Sequence, residues 1–489
     1  MASTPSPGSS GSRSDGGSDD TVPALLWLRR DLRLADHPAL LAASGSDGVS
    51  GPGGRPVVPL FVVDPALWEP AGDPRRAWLV RSLRALDEAM GGALVLRTGD
   101  PTRVVPAVAR EVGAEQVHVT ADNGPYGRRR DRDVEQALDV ADVRLVRTGT
   151  PYAVGPGTVR NGSGEPYKVF TPFHRAWQRH GWPAPAASAD GVVWHRAQGR
   201  EWPDEPDLGD LVLPEAGEAA ALARWQEFRD EDLLDYASRR DLPAQAGTSA
   251  MSAHLKYGEV HPRTLLADLS RLAADARLAE ASRTSVDTYR RELAWREFYA
   301  DVLWHHPRTA REYHRQEYAR MRYDSPTGAS GRTRLEAWQQ GRTGFQFVDA
   351  GMRQMQAEGW MHNRVRMVVA SFLVKDLHLE WQLGARWFLR WLRDGDLASN
   401  NHGWQWAAGS GTDASPYFRV FNPVTQGEKF DPTGDYVRRY VPELAHLPGK
   451  AAHSPWDAAD GYAHGYPARV VDHKAEREES LARLKEITR

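Results

Sequence analysis

The chain of 489 residues contains no cysteine. That removes disulfides, thiolate metal sites and cysteine nucleophiles together, and it suits a reducing cytoplasm without requiring one. Basic excess is also missing. The formal net charge is −3, so contact with nucleic acid would have to come from a local patch. No apolar run approaches membrane-spanning length. The glycine fingerprint of dinucleotide folds is absent, because the first apolar run leads into Arg29-Arg30-Asp31; a nicotinamide site of the usual kind is thereby excluded. No serine sits in a Gly-x-Ser-x-Gly context. His305 and His306 are adjacent rather than on one helical face, and the carboxylates lack matching histidine spacing, so no metal site is expected.

Tryptophan, by contrast, is plentiful: there are 18, most of them beyond residue 210. The densest chemistry lies in Asp394–Trp406, DGDLASNNHGWQW, where carboxylates and side-chain amides alternate with two indoles. A core does not accept such polar groups beside large aromatics unless each has a partner. The combination suits one wall of a site for a buried, planar, redox-active ligand such as a flavin. An interhelical loop whose tryptophans fill space is the competing reading.

Strand–helix alternation over the first 150 residues predicts a doubly wound parallel sheet. The strands are expected at Ala24–Leu28, Val57–Val63, Ala93–Leu96, Gln116–Thr120 and Val143–Val146. Helices are expected at Arg75–Met90, Thr102–Val112 and Arg128–Val140. The predicted organisation is a disordered Ser/Gly-rich tail (1–20), an α/β domain (21–150), a Pro- and Gly-rich connector (151–235) and an all-α domain (236–489). A charged helix is expected at Lys474–Ile487, with no long C-terminal tail beyond it.

Two helical stripes carry polar groups. Glu292, Trp295, Arg296 and Tyr299 fall at i, i+3, i+4 and i+7, with Ala294, Phe298 and Val302 forming a separate apolar stripe. Asn363, Arg366, Met367 and Ala370 share another face. A solvated helix surface is the plain alternative for each stripe, weakened by Trp and Met among the charges. Arg366 and Asp394 are plausible partners in a buried ion pair. Arg311, Arg315, Arg320 and Arg322 alternate with Tyr313, Tyr318 and Tyr323, which suits either a nucleic-acid backbone or a solvated charged helix.

Long motifs now add a resemblance. LWLRRDLRLADHPAL, YKVFTPFHRAW, WREFY, GWMHNRVRM, ASFLVKDL and DGDLASNNHGWQWAAGSGTDASPYFRVFNP resemble the cryptochrome/photolyase flavoproteins, specifically microbial class I cyclobutane pyrimidine dimer photolyases, from about Ala24 to the C-terminus. The resemblance implies FAD in the helical domain. Tyr236 and the Thr248, Ser249, Ser252 segment would meet its phosphates and ribitol. Glu292, Arg296, Tyr299, Asn363, Arg366, Asp394 and Asp396 would line the rest, with Asn400 facing flavin N5.

The same resemblance implies light-driven electron transfer from reduced FAD to a flipped pyrimidine dimer in UV-damaged DNA, with no net redox. Glu292 would hydrogen-bond the dimer, Trp295 and Trp406 would flank it, and Asn363 with Met367 fits the cyclobutane-dimer pattern rather than the two-histidine pattern of 6-4 enzymes. Arg240 and Arg419 would hold phosphates at the rim. Trp404 and Trp381 match the proximal and middle members of a photoreduction chain, and Tyr323 is the nearest aromatic for the distal one. An antenna chromophore is implied in the N-terminal domain: 8-hydroxy-5-deazaflavin, with Asp122 and Lys256 as contacts, or methenyltetrahydrofolate as the alternative. A monomeric cytoplasmic enzyme needing no protein partner is expected, and a blue-light photoreceptor without repair activity is the alternative.

Overall fold

Five strands form one parallel sheet in the order β3-β2-β1-β4-β5. They are β1 (Ala24–Leu28), β2 (Val57–Val63), β3 (Val95–Thr98), β4 (Gln116–Val119) and β5 (Arg144–Arg147). The computed structural model describes residues 22–46, 54–412 and 418–488; the expected tail at 1–20 lies outside them. Alternate residues of β1 face opposite ways. Leu25 and Trp27 pack with Val105 and Val134, under the helices Pro101–Glu111 and Pro125–Asp139. Ala24, Leu26 and Leu28 pack with Ala77, Trp78 and Leu83 of the Asp73–Ala89 helix. With both faces covered, β1 and β2 are buried at every position, so they read as uninterrupted apolar runs rather than alternating ones.

The sheet agrees with expectation. β1 and β2 match to the residue, and the other three strands are displaced or shortened by one or two residues at an end. β1 pairs with both β2 and β4, Leu25 standing opposite Val58 and Val117. The chain therefore reverses its direction of winding between β1 and β4. A crevice opens beyond the carboxyl ends of these strands, the place where open α/β sheets bind ligands.

Residues 151–235 carry more regular structure than their composition suggests. The helices Phe170–His180 and Glu218–Glu231 form there. Phe170, Phe173, Trp177, Trp225 and Phe228 enter the core of the long Glu280–His305 helix beside Ala294, Phe298 and Val302. Two isolated parallel bridges, Val57 with Trp194 and Leu96 with Arg200, lay the same segment across the sheet. Glycine and proline set its turns, while the aromatics decide its packing.

Among the described residues, everything beyond 236 is helical or irregular. A second core gathers the helices Gln346–Glu358, Asn363–Lys375, Trp381–Trp391 and Leu397–Ala408. The short helix Ser252–Tyr257 joins the two halves: its Ala253 and Tyr257 pack into the core of the sheet. Gly258 ends it at φ 71°, where a Cβ would overlap the Arg30 carbonyl oxygen. The charged C-terminal helix runs His473–Thr488, and no helix of the described residues is long and apolar enough to cross a membrane.

The Arg/Tyr stretch 311–323 corrects both readings offered for it. It forms short 3-10 turns rather than a helix, and Tyr313 and Tyr318 are buried in the core. Arg322 pairs with Glu479 at 2.9 Å and Arg315 with Glu317 at 2.8 Å. The tyrosines serve packing, so cations and aromatics do not share one exposed face.

Candidate functional site

Two cavities lie back to back. The larger, about 500 Å³, opens among the helices of the C-terminal half and falls in the size range of cofactor sites. The Glu280–His305 helix supplies Glu292, Trp295, Arg296 and Tyr299 to its wall, as the 3.6-residue period requires. The Asn363–Lys375 helix adds Asn363, Arg366, Met367 and Ala370. Asp394, Asp396, Asn400, Trp404 and Trp406 come from the turn and helix that follow Trp391. Tyr236, Ser249 and Ser252 close one end. Thr248 is not among the lining residues. Ala250 sits between the serines at φ 54°, a left-handed conformation unusual for alanine, and turns the backbone along the wall.

The charges on this wall are arranged by neighbours far away in sequence. Arg366 Nη2 donates to Asp394 Oδ2 at 2.8 Å, the expected ion pair, and Ser252 Oγ donates to the same oxygen at 2.6 Å. Burial alone would raise the Asp394 carboxyl; Arg366, Ser252 and Arg393 more than offset it and hold the group below the ordinary carboxylate range. Asp396 works at two joints. Its Oδ1 accepts the Ser399 N–H at 3.0 Å as N-cap of the Leu397–Ala408 helix, and its Oδ2 accepts Arg30 Nη2 of the sheet domain at 2.8 Å. Burial raises its carboxyl too, and Arg30 and Arg296 outweigh that. Arg296 donates to the carbonyls of Pro151 and Leu255, each at 3.0 Å, tying connector and short helix to the wall.

The chemistry of this donor set fits a flavin dinucleotide. Asp394 Oδ1 and Trp404 Nε1 are buried without a hydrogen-bond partner, and both residues line the cavity, so acceptor and donor await a ligand. Asn400 spends both amide hydrogens on the Ala385 carbonyl and Asn401 Oδ1, at 3.1 and 2.9 Å, which leaves its own oxygen as the available acceptor. Trp295 stacks face to face on Phe170, with centroids 3.7 Å apart and planes 7° from parallel, a contact that fixes the indole at the cavity.

The other expected residues make contacts behind the wall or at its rim. Trp404 packs against Gly384, where a Cβ would strike its ring, and its ring neighbours are Phe388 at 4.9 Å and Trp338 at 6.0 Å. Trp381 meets Tyr313 instead, at 6.2 Å, and Tyr313 meets Tyr323 at the same separation, so Tyr313 stands between the two. Arg240 lines the large cavity, but its Nη1 donates to Glu292 Oε1 at 2.7 Å. Arg419 lines a separate hollow of about 190 Å³ with Arg315 and Lys375, and Trp406 is the partition between that hollow and the main cavity. Arg364 and its partner Asp241, 2.8 Å away, were not anticipated from sequence, although Arg364 lines the cavity directly after Asn363.

The smaller cavity, about 260 Å³, occupies the crevice at the ends of β1, β2 and β4. Trp27, Phe61 and Trp68 give it apolar surface, and Arg29, Arg30 and Arg130 crowd its polar side. Asp122 is on this wall, already held by the Gly124 N–H at 3.0 Å and Arg130 at 3.2 Å. Lys256, Gly395 and Asp396 border both cavities and form the partition between them.

Comparison with known proteins agrees with this geometry. Residues 24–189 match the family model described as DNA photolyase, and residues 289–486 match that of the FAD binding domain of DNA photolyase. A deoxyribodipyrimidine photo-lyase of Halobacterium salinarum is 40% identical over 94% of this chain and 98% of its own. The crystal structure of a bacterial class III photolyase from Agrobacterium tumefaciens superposes with a TM-score of 0.87 at 36% identity, covering 97% of this chain and 100% of that one. An archaeal photolyase from Sulfolobus tokodaii, solved with two FAD molecules, gives 0.79 at 26% identity over 95% and 100%. With a sheet-end crevice backed onto a polar helical cavity, and with relatives matched over nearly their whole length, the chain belongs to the DNA photolyase family.

Proposed function

We infer that the protein is a deoxyribodipyrimidine photo-lyase that uses light to split cyclobutane pyrimidine dimers in DNA. The observation that carries this reading is a single cavity holding a cofactor-type wall (Arg366–Asp394, Asp396, Asn400) opposite a set suited to an everted base pair (Glu292, Asn363, Met367, Trp295, Trp406). When bound, reduced FAD supplies a light-excitable one-electron donor. The chain's own part is to bind, orient and exclude water. Tyr236, Ser249 and Ser252 would hold one end of the cofactor, the Arg366–Asp394 pair would line the wall beside Ser252, and Asn400 would present an acceptor to the ring. Trp295, braced by Phe170, and Trp406 offer apolar faces to an extruded dimer, while Glu292 and Asn363 offer it hydrogen-bonding groups. Stacking and pairing are already weak at such a lesion, so extruding it costs least where repair is needed.

We assign DNA-phosphate contacts to Arg240 and Arg419, and a photoreduction route from Tyr323 through Trp381 to Trp404, with Tyr313 lying between the first two. The second cavity takes an antenna chromophore. The deazaflavin reading, with Asp122 and Lys256 as contacts, and with it the class I assignment, is supported by a cavity that sets Trp27, Phe61 and Trp68 beside several cations; the Sulfolobus tokodaii protein with two FAD molecules is a related structure with a second flavin. We place the enzyme in the cytoplasm, acting as a monomer.

The test is illumination of the reduced protein with a dimer-containing oligonucleotide, followed by recovery of pyrimidine absorbance. Recovery under light and none in darkness is expected. Glu292→Ala should lower the repair yield while FAD stays bound. An unchanged yield removes Glu292 from the substrate side. An absorption band at the deazaflavin rather than the folate wavelength settles the antenna.

A further inference from the structure

The mouth of the large cavity holds a self-paired chain of four charges. Glu292 Oε1 accepts from Arg240 Nη1 at 2.7 Å, and Arg240 Nε stands 3.9 Å from Asp241 Oδ1. Asp241 takes the Arg364 guanidinium with both oxygens, at 3.3 and 2.8 Å. Carboxylate and guanidinium thus alternate along Glu292, Arg240, Asp241 and Arg364. The four come from three places: the long helix, the turn after Tyr236 and the first turn of the Asn363–Lys375 helix. All remain in touch with solvent, with side chains 28%, 21%, 32% and 20% exposed in that order.

In this arrangement Glu292 Oε1 and Arg240 Nη1 are spent on each other, so each charge is neutralised by its partner before a dimer or a phosphate arrives. One event resolves both. A backbone phosphate at the mouth is a competing anion for Arg240, and an ion pair this exposed is weak enough to exchange. Arg240 is attached to Asp241 only by the long contact, and its guanidinium carbon already lies 5.3 Å from the Tyr236 ring, a contact that does not depend on Glu292. Arg364 is held by two bonds and lies 4.4 Å over Phe430, so it keeps its place as a second cation.

Resting on the photo-lyase reading, we propose that the Arg240–Glu292 pair is a phosphate-operated latch, with Asp241 as the positioning residue that spaces Arg240 and Arg364 about one phosphate. The lesion's own backbone draws Arg240 aside and releases Glu292 to the dimer. Glu292 Oε1 is then freed from its counter-charge by a dimer that arrives with a charged linkage.

The experiment compares two thymine-dimer oligonucleotides with the reduced holoenzyme, one with the normal phosphodiester between the dimerised bases and one with an uncharged methylphosphonate there. Affinity and repair per absorbed photon at saturation are measured separately. The wild-type protein should lose affinity for the neutral linkage and also repair it about threefold less per photon, since Glu292 stays latched. In Arg240→Gln, affinity falls for both substrates but their repair per photon becomes equal; Arg240→Lys, which keeps a cation, restores the difference. Asp241→Asn should weaken binding of the phosphodiester substrate more than that of the neutral one. Flavin absorbance confirms that each variant is folded. Equal repair per photon of the two linkages by the wild-type protein, or a difference that persists in Arg240→Gln, overturns the latch. Absence of any light-dependent repair of the normal substrate would instead overturn the photo-lyase reading.

Discussion

The two cavities solve the problem of placing charge in a protein interior in opposite ways. In the sheet-end crevice the cations outnumber the acids, and burial pushes the ammonium of Lys256 well below its usual range. The Lys256 ammonium has no hydrogen-bonding partner among the described residues; its Nζ rests 3.6 Å over the Tyr257 ring. In the helical cavity each lining carboxylate has its own guanidinium, Glu292 that of Arg240. Asp394 has Arg366 and Asp396 has Arg30, and both carboxyls are held low. A matched wall is stiff before any ligand arrives, which is what an electron-transfer geometry requires. The unmatched wall leaves a surplus of positive charge for its occupant to neutralise.

The largest expected effect comes from unmatching the matched wall. Asp394→Asn leaves Arg366 without its counter-charge, and should cost about 3 kcal/mol of stability together with retention of FAD, read by thermal melting and flavin content. The sign with pH follows from the lowered carboxyl: its contribution is complete above the unfolded carboxylate range, near pH 4, and is lost as pH falls through the folded value below that. The gap between wild-type and Asn proteins should therefore close on acidification. A gap independent of pH would mean that packing, not charge, holds Asp394.

A smaller loss is expected from Gly384→Ala. The new methyl would strike the Trp404 ring, an overpacking cost of about 2 kcal/mol, and should also slow photoreduction of oxidised flavin by displacing the indole. Unchanged melting would show that the Trp381–Trp391 helix can shift freely. The smallest effect on stability belongs to the unmatched wall. Lys256→Met removes a cation that burial penalises, so the melting temperature should stay level or rise by the equivalent of up to about 1 kcal/mol. The second chromophore should bind about tenfold more weakly, FAD remaining in place. Parallel loss of both chromophores would erase the distinction between the walls.

How much of this could be read beforehand depended on distance along the chain. β1 and β2 were legible to the residue, because layers on both faces make every position apolar. β3 was placed two residues early, since Ala93 and Leu94 are buried although they stand outside the ladder. The Glu292, Trp295, Arg296, Tyr299 stripe needed only the helical period. Arg364 escaped because it lies in the first turn of its helix, off the stripe counted from Asn363, and reaches the mouth from there. Nothing local announces the Arg30–Asp396 bond between residues 366 positions apart. The tyrosines at 313 and 318 misled for a related reason: in an irregular segment no period tells which side faces inward, and only tertiary packing decided it.

Asp396 deserves one last inference, because the same carboxylate starts the Leu397–Ala408 helix, borders both cavities and grips Arg30. A truncated protein lacking the first strands would not merely shed its sheet domain. It would strip Arg30 from the anion at the head of the helix that carries Asn400 and Trp404, leaving Arg296 and Lys256 as its remaining cations, so the catalytic half is no detachable module. Inheritance, swapping or engineering of the N-terminal half must carry Arg30 along.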